Sequence, residues 1–230
     1  MPRLRTIGEG IWLSDGPVVH ALGMPFPTRV VVVRLQSGAL WIWSPVGLDD
    51  ELRREIAALG EPRFAVEPNK LHHLALADWV AAWPALQCWA PPGLARKRRD
   101  VEFAGELSDE APAEWRDEID QLLVPGNLYL TEVLFFHRRS RTCLVGDLIQ
   151  RHELASFSGW RHWVMKWSGV TGPEGGAPRD ARWTFVRRGA ARAAIMRAIE
   201  WAPRQLVIAH GTLPAGDGAD QLRRSFAWLL

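Results

Sequence analysis

Hydrophobic positions along the chain switch between a period near two and a period near 3.6, outlining a β block, an α/β crossover, a second β block and a helical end. Residues 7–13 form a first apolar run. Residues 28–35 (TRVVVVRL) form a second, so rich in β-branched side chains that it predicts a strand buried on both faces. Ser37-Gly38 leads into a third strand, 39–44, and so tight a turn predicts a hairpin. Pro45 and Gly47 stop the sheet. Asp49 or Asp50 then caps a helix reaching Leu59, with acids in its first turn and Gly60 behind it. A short strand, 64–66, runs through a polar turn into a helix whose Leu74, Leu76, Ala77, Val80 and Ala81 share a face. A strand at 86–89 and a small helix after Pro91-Pro92-Gly93 follow. The basic run Arg96 to Arg99 could hold a phosphate but reads first as a solvated face beside Asp100, Glu102 and Glu106, and the acid- and proline-rich stretch 106–118 as an excursion.

In the second block strands are expected at 119–124, 129–136 and 142–145, the last ending in Gly146-Asp147. A helix is expected across 150–168 with Leu154, Phe157, Trp160, Val164 and Trp167 turned inward. After it come a glycine-rich flexible loop at 169–180, a helix at 188–201, a strand at 205–209 ending in His210-Gly211, and a terminal helix started by Asp217 or Asp220. Thirteen tryptophans stand against one tyrosine, and most fall where a helix or strand pattern demands an apolar residue. They are expected as core or half-buried cover.

Composition narrows the function classes. A chain of 230 residues is long enough for a real core, and with no linker signal it is read as a single domain, 1–230. Its 28 Lys and Arg nearly cancel 26 Asp and Glu, so no chain-wide field points to nucleic acid or an anionic membrane. Cys88 and Cys143 form no CxxC pattern, which argues against a disulfide framework or thiolate zinc site and suits a reducing cytoplasm. The start of the chain lacks the apolar run of a signal peptide, and no stretch approaches the ~20 apolar residues of a membrane helix. The expectation is a cytoplasmic protein with neither membrane nor nucleic-acid partner.

Three separate strands end in candidate ligands: His72 and His73 after one, Asp147 after another, His210 after the last. In the first turn of a helix, adjacent side chains lie only about 100° apart, so both imidazoles could reach one point above the strand end. Three imidazoles and a carboxylate suit zinc, iron or manganese. His137 reads as a turn residue with Arg138 and Ser140, and His20, His152 and His162 as surface or ordinary helix residues. Glu132 interrupts an apolar strand and, if inward, needs a partner such as an arginine.

The order of these elements, the stretch VPGNLYLTEVLFFHRRSRTCLVGD and the final LVIAHG resemble the metallo-β-lactamase superfamily. With SPVGLDDEL, EPNKLHH and FFHRRSRT, the whole chain is similar to a domain-of-unknown-function branch of it. The resemblance implies a four-layer αβ/βα sandwich in the α/β class. It also implies how the superfamily's metal turn, HxHxDH, is altered: laying its last two positions on His72 and His73 puts Pro68 and Lys70 where its first two histidines belong. The next ligand falls near Asn127 or Leu128, so the first metal site is lost. In the second, His72 stands for the aspartate, His73 and His210 keep their roles, and Asp147 keeps the bridging carboxylate. Lys70 is either a solvated loop lysine or a compact cation holding Asp147 where a metal is missing. The implied function is a metal-dependent hydrolase with one divalent metal, zinc foremost, and with Asp147 and Lys70 as catalytic candidates. Four protein ligands leave zinc no open position, so the enzyme reading needs one weak ligand or an expanded coordination shell. The alternatives are a non-catalytic binding or scaffold protein, and an enzyme using Lys70 and Asp147 without metal. The substrate, a small molecule in the leading reading, is not legible.

Overall fold

The run VVVV in β5 (Arg29–Arg34) explains the architecture, because its side chains alternate between two cores. Val31 and Val33 face a second sheet, while Val30 and Val32 face helices, and all four are fully buried. The computed structural model describes residues 3–21, 23–172 and 175–230. Its first sheet is built from β1 (Arg5–Gly8), β2 (Ile11–Asp15), β5, β6 (Leu40–Trp43), β7 (Pro62–Val66), β8 (Gln87–Ala90) and β9 (Phe103–Glu106), paired in that order. Strands β1 to β6 pair antiparallel and β6 to β9 parallel. A separate hairpin joins β3 (Val19–Ala21) to β4 (Met24–Phe26). The second sheet has the order β10 (Ile119–Val124), β11 (Glu132–His137), β12 (Thr142–Arg151), β13 (Gln205–Gly211), with only its last pair parallel.

Helices α1 (Asp50–Leu59), α2 (Leu76–Ala82) and α3 (Leu94–Lys97) cover the outer face of the first sheet through Leu52, Ile56, Leu76, Trp79 and Leu94. Across the molecule α6 (Arg188–Glu200) and α7 (Gly218–Ser225) cover the second sheet through Ala191, Ile195, Leu222 and Phe226. Between the sheets lie Trp41, Trp43, Val133, Phe135, Leu144 and Val207. This is the expected αβ/βα sandwich, and Trp41, Trp43, Trp79 and Trp115 bear out the core reading of those tryptophans. The Asp49 carboxylate caps α1 by accepting from Leu52 N at 2.9 Å, as the acidic start predicts.

Four elements differ from expectation. The first strand is a hairpin, with Gly8 opposite Ile11 and Gly10 turning at φ 71°. The α2 helix begins at Leu76, so His72 and His73 sit in the preceding loop rather than in its first turn. Strand β12 does not stop at Gly146-Asp147 but runs to Arg151, its pairing with β13 interrupted between Val145 and Gln150. The helix expected at 150–168 reduces to a 3₁₀ turn, Leu154–Ser156, and α4 (Gly159–Ser168), whose buried residues are Met165 and Ser168 while Trp160, Val164 and Trp167 are exposed. The glycine-rich loop after it is pinned to β12 by pairing of Gly176 with Gln150, and α5 (Arg179–Trp183) follows. Pro173 and Glu174, within the loop expected to be flexible, lie outside the described residues.

Candidate metal centre

His72, Asp147 and His210 meet where the two sheets come together, past the end of β7, in the break within β12 and near the end of β13. The Asp147 carboxylate divides its oxygens: Oδ1 is 3.0 Å from His210 Nε2 and Oδ2 is 3.2 Å from His72 Nε2. One donor atom from each of the three lies within 4.8 Å of the others, and the imidazole centroids are 5.1 Å apart. Zinc–ligand bonds of about 2.0–2.2 Å in a tetrahedron require donor separations of this order.

Each ring is held from behind. His210 Nδ1–H donates to the Pro27 carbonyl at 2.7 Å, which turns Nε2 toward the centre. His72 Nδ1 pairs with Ser44 Oγ at 2.8 Å, and Ser44 sits at φ 54°, a conformation that non-glycine residues rarely adopt. The His72 Nε2 atom is buried and makes no well-angled hydrogen bond despite its nearness to Asp147. Behind His210, the buried Arg29 donates to the carbonyls of Ile208 and Gly211 at 2.7 and 3.0 Å and to Asp15 at 2.8 Å, tying the end of β13 to the first sheet.

Glu132 organises the carboxylate side. It accepts from the backbone N–H groups of Gly146, Asp147 and Leu148, the first two at 2.8 and 2.6 Å, and from Asn69 Nδ2 at 3.0 Å. No arginine is needed, because four N–H donors satisfy the buried carboxyl. Burial and then the charge of Asp147 push its pKa up to about 8. Asn69 Nδ2 also donates to Asp147 Oδ2 at 2.9 Å and so bridges the two carboxylates. Burial alone would raise Asp147, but the two imidazoles hold it well below the usual carboxylate range. Burial would lower His210, yet its hydrogen bond and charge interaction with Asp147 leave its pKa raised.

The structure brings together His72, Asp147 and His210 from the expected ligand set but not His73. The His73 ring turns away to Arg98, whose Nη1 is 3.1 Å from Nδ1 and also donates to the His73 carbonyl. Burial first, then the charges of Lys97 and Arg98, lower its pKa. The reason is local: outside a helix, the two neighbouring side chains are not held on one face. Laying the last histidine of the motif that the resemblance implies on His72 instead would move the register by one residue, with Asn69 at the second histidine, Glu67 at the first and the exposed Leu71 at the aspartate. Lys70 does not hold Asp147; the Asn69 amide occupies that place, and the Lys70 carbonyl accepts from Lys97. Asn127 is committed elsewhere, its Nδ2 bonding Ala181 and Thr184 and its Oδ1 accepting from Tyr129 and Leu130.

Glu67 is buried with neither oxygen hydrogen-bonded, and burial pushes its pKa well above the usual range against the opposing charge of Arg98. Asn69, Ser44 and Arg29 are supporting residues that sequence reasoning passed over. Asn69 carries a signal, lying three residues before His72 at the motif's own spacing. Arg29, a charge at the start of a buried strand, carries a fainter one.

Loss of His73 changes what the centre can do. Three protein donors, one of them a deprotonated carboxylate, suit a divalent metal and leave a fourth tetrahedral position open, the arrangement of catalytic rather than structural zinc sites.

Solved metallo-β-lactamases share this fold. One from Hirschia baltica is 12% identical, with 98% of this chain and 96% of that one covered and a TM-score of 0.64. One from Pontibacter korlensis is also 12% identical, covering 98% and 97% at a TM-score of 0.62. The FIM-1 enzyme of Pseudomonas aeruginosa in its mono-zinc form is 11% identical, covering 98% and 93% at 0.64. No curated protein matches the sequence. The family model described as "Domain of unknown function (DUF4336)" matches residues 11–154. That span is more than half of the chain, which therefore belongs to this family, on a metallo-β-lactamase fold.

Proposed function

We propose that the protein is a metal-dependent hydrolase with a single divalent metal, zinc foremost, held by His72, Asp147 and His210. The observation that carries the reading is the convergence of three donor atoms within 4.8 Å around a buried His72 Nε2 that makes no hydrogen bond of its own. When bound, such an ion supplies Lewis acidity and lowers the pKa of a water toward about 7. The chain's own residues do the rest. Ser44 and Pro27 fix the two rings, and Glu132 fixes the backbone beneath Asp147. Asn69 sits where another metal would place positive charge against Asp147 Oδ2, and its amide N–H donates there instead. Among the described residues the His, Cys, Asp and Glu donors that gather closely enough to hold an ion are those of His72, Asp147 and His210, which supports one equivalent. Lys70 is left without a catalytic role.

Elemental analysis of protein expressed with supplemented metal tests this directly. One equivalent is expected, lost in His72→Ala and His210→Ala and retained in His73→Ala. Two tightly bound equivalents would refute the single-site reading. No metal in the unaltered protein would favour the non-catalytic scaffold.

A further inference from the structure

Helix α4 turns outward the residues that its pattern predicts to be inside. Trp160, Trp163 and Trp167 are 57, 67 and 48% exposed, and Val164 lies among them. The stripe continues onto neighbouring elements. Trp183, also exposed, meets the Trp167 ring edge-on at 5.3 Å, and Thr184 beside it bonds the 127–129 loop, which exposes Leu128 and Tyr129. On its buried side α4 packs Met165 with Met24, Phe157 and Phe26, and the Phe26 ring lies 5.5 Å from that of His210. The aromatic stripe therefore flanks the metal centre.

The stretch of sequence that carries α4 and α5 is basic. Residues 158–192 hold seven Lys or Arg against two acids, whereas the whole chain holds 28 against 26, so the remainder of the sequence is net acidic. Arg161 and Lys166 stand over the Trp160 and Trp163 rings, 5.7 and 5.6 Å from their centroids.

We propose that this face lies on an anionic phospholipid surface, with α4 in the plane of the interface. Tryptophan favours the boundary between headgroups and acyl chains, where its body is apolar and its N–H is wet, and the flanking cations meet lipid phosphates. Val164 and Leu128 give aliphatic tips to the same stripe. Those tips have no use in stacking nucleic-acid bases, and cations already cover two of the ring faces a base would need. Pairing with a second copy would set two basic faces against each other. Among the described residues no helix is long and apolar enough to cross a membrane, and a surface-lying helix needs none. The sequence expectation of no membrane partner rests on chain-wide charge balance and the lack of a spanning run, and neither reports on one face. The contact is independent of the metal reading.

Co-sedimentation of the full chain with vesicles of phosphatidylcholine containing phosphatidylglycerol, against phosphatidylcholine alone, tests the proposal. Binding to the anionic vesicles alone is expected, with a blue shift of tryptophan emission and weakening by salt. A Trp163→Ser, Trp167→Ser double variant should bind about tenfold or more weakly, and Arg161→Glu with Lys166→Glu should lose the salt-sensitive part. Trp163, Lys166 and Trp167 are exposed and Arg161 is half-buried, and circular dichroism verifies the fold of each variant. His210→Ala should bind as the unaltered protein does, which separates this result from the fate of the metal centre. Failure to bind anionic vesicles would overturn the proposal, as would equal binding by the double tryptophan variant. Binding of a single-stranded oligonucleotide with vesicles ignored would overturn it in favour of nucleic acid. A dimer that the tryptophan variant splits, with vesicles unbound, would do so in favour of self-association.

Discussion

Glu132 shows why an isolated acid in an apolar strand is worth following. Truncation in Glu132→Ala would leave three backbone N–H groups without an acceptor and take one of two acceptors from the Asn69 amide. Unfolding by denaturant should show a loss of more than about 3 kcal/mol, since each orphaned donor costs about 1–3 kcal/mol. Glu67 makes the opposite case. Its folded pKa is raised, so it keeps its proton after the unfolded chain has ionised. Its contribution is fully present below the ordinary carboxylate range and is lost as pH rises through the folded value. Glu67→Gln should therefore raise the melting temperature at neutral pH, by the equivalent of about 1 kcal/mol or more, and flatten its decline from acid to neutral pH. A variant no more stable than the original at pH 7 would mean that the carboxylate has a partner in solution. At the metal centre, Ser44→Ala should weaken metal about 10–100-fold in a chelator competition, because it frees the His72 ring without removing a donor.

Elements set the limits of what the sequence disclosed. The buried strands of both sheets and α1 were legible because β-branched runs, an acidic cap and a closing glycine each have one local meaning. The partners Asp147 and His210 were legible because each stands beside a glycine where the pairing of a strand is interrupted or ends. The His72-His73 pair was not resolved, because a helix start and a loop place adjacent rings differently and only the observed start of α2 at Leu76 decides between them. The inner face of α4 misled for a related reason: an apolar stripe predicts burial only where another layer exists to cover it, and α4 lies outside the four layers. Glycine at the end of β13 supplies a test at this scale. Gly211 has φ 91°, and a Cβ there would stand 1.9 Å from the Arg151 carbonyl oxygen. Gly211→Ala should cost more than about 2 kcal/mol and loosen His210 beside it, read as a fall in both thermal stability and metal content.

At the scale of the whole molecule, the donors are divided between the halves of the sandwich. His72 and its Ser44 support follow strands of the first sheet, and Asp147 and His210 belong to the second, with Arg29 and Asn69 among the protein's own links between them. An ion held there is a rivet through two plates. Its affinity for the chain and the cohesion of the plates become one equilibrium read from two sides. Raising free metal to a hundred times its dissociation constant should add about 2.7 kcal/mol to the resistance of the sheets to parting. Stripping it should increase hydrogen exchange first in the backbone amides of 146–150 and 208–211, on both sides of the seam, while leaving α1 and the strands at the far edge of its sheet unchanged.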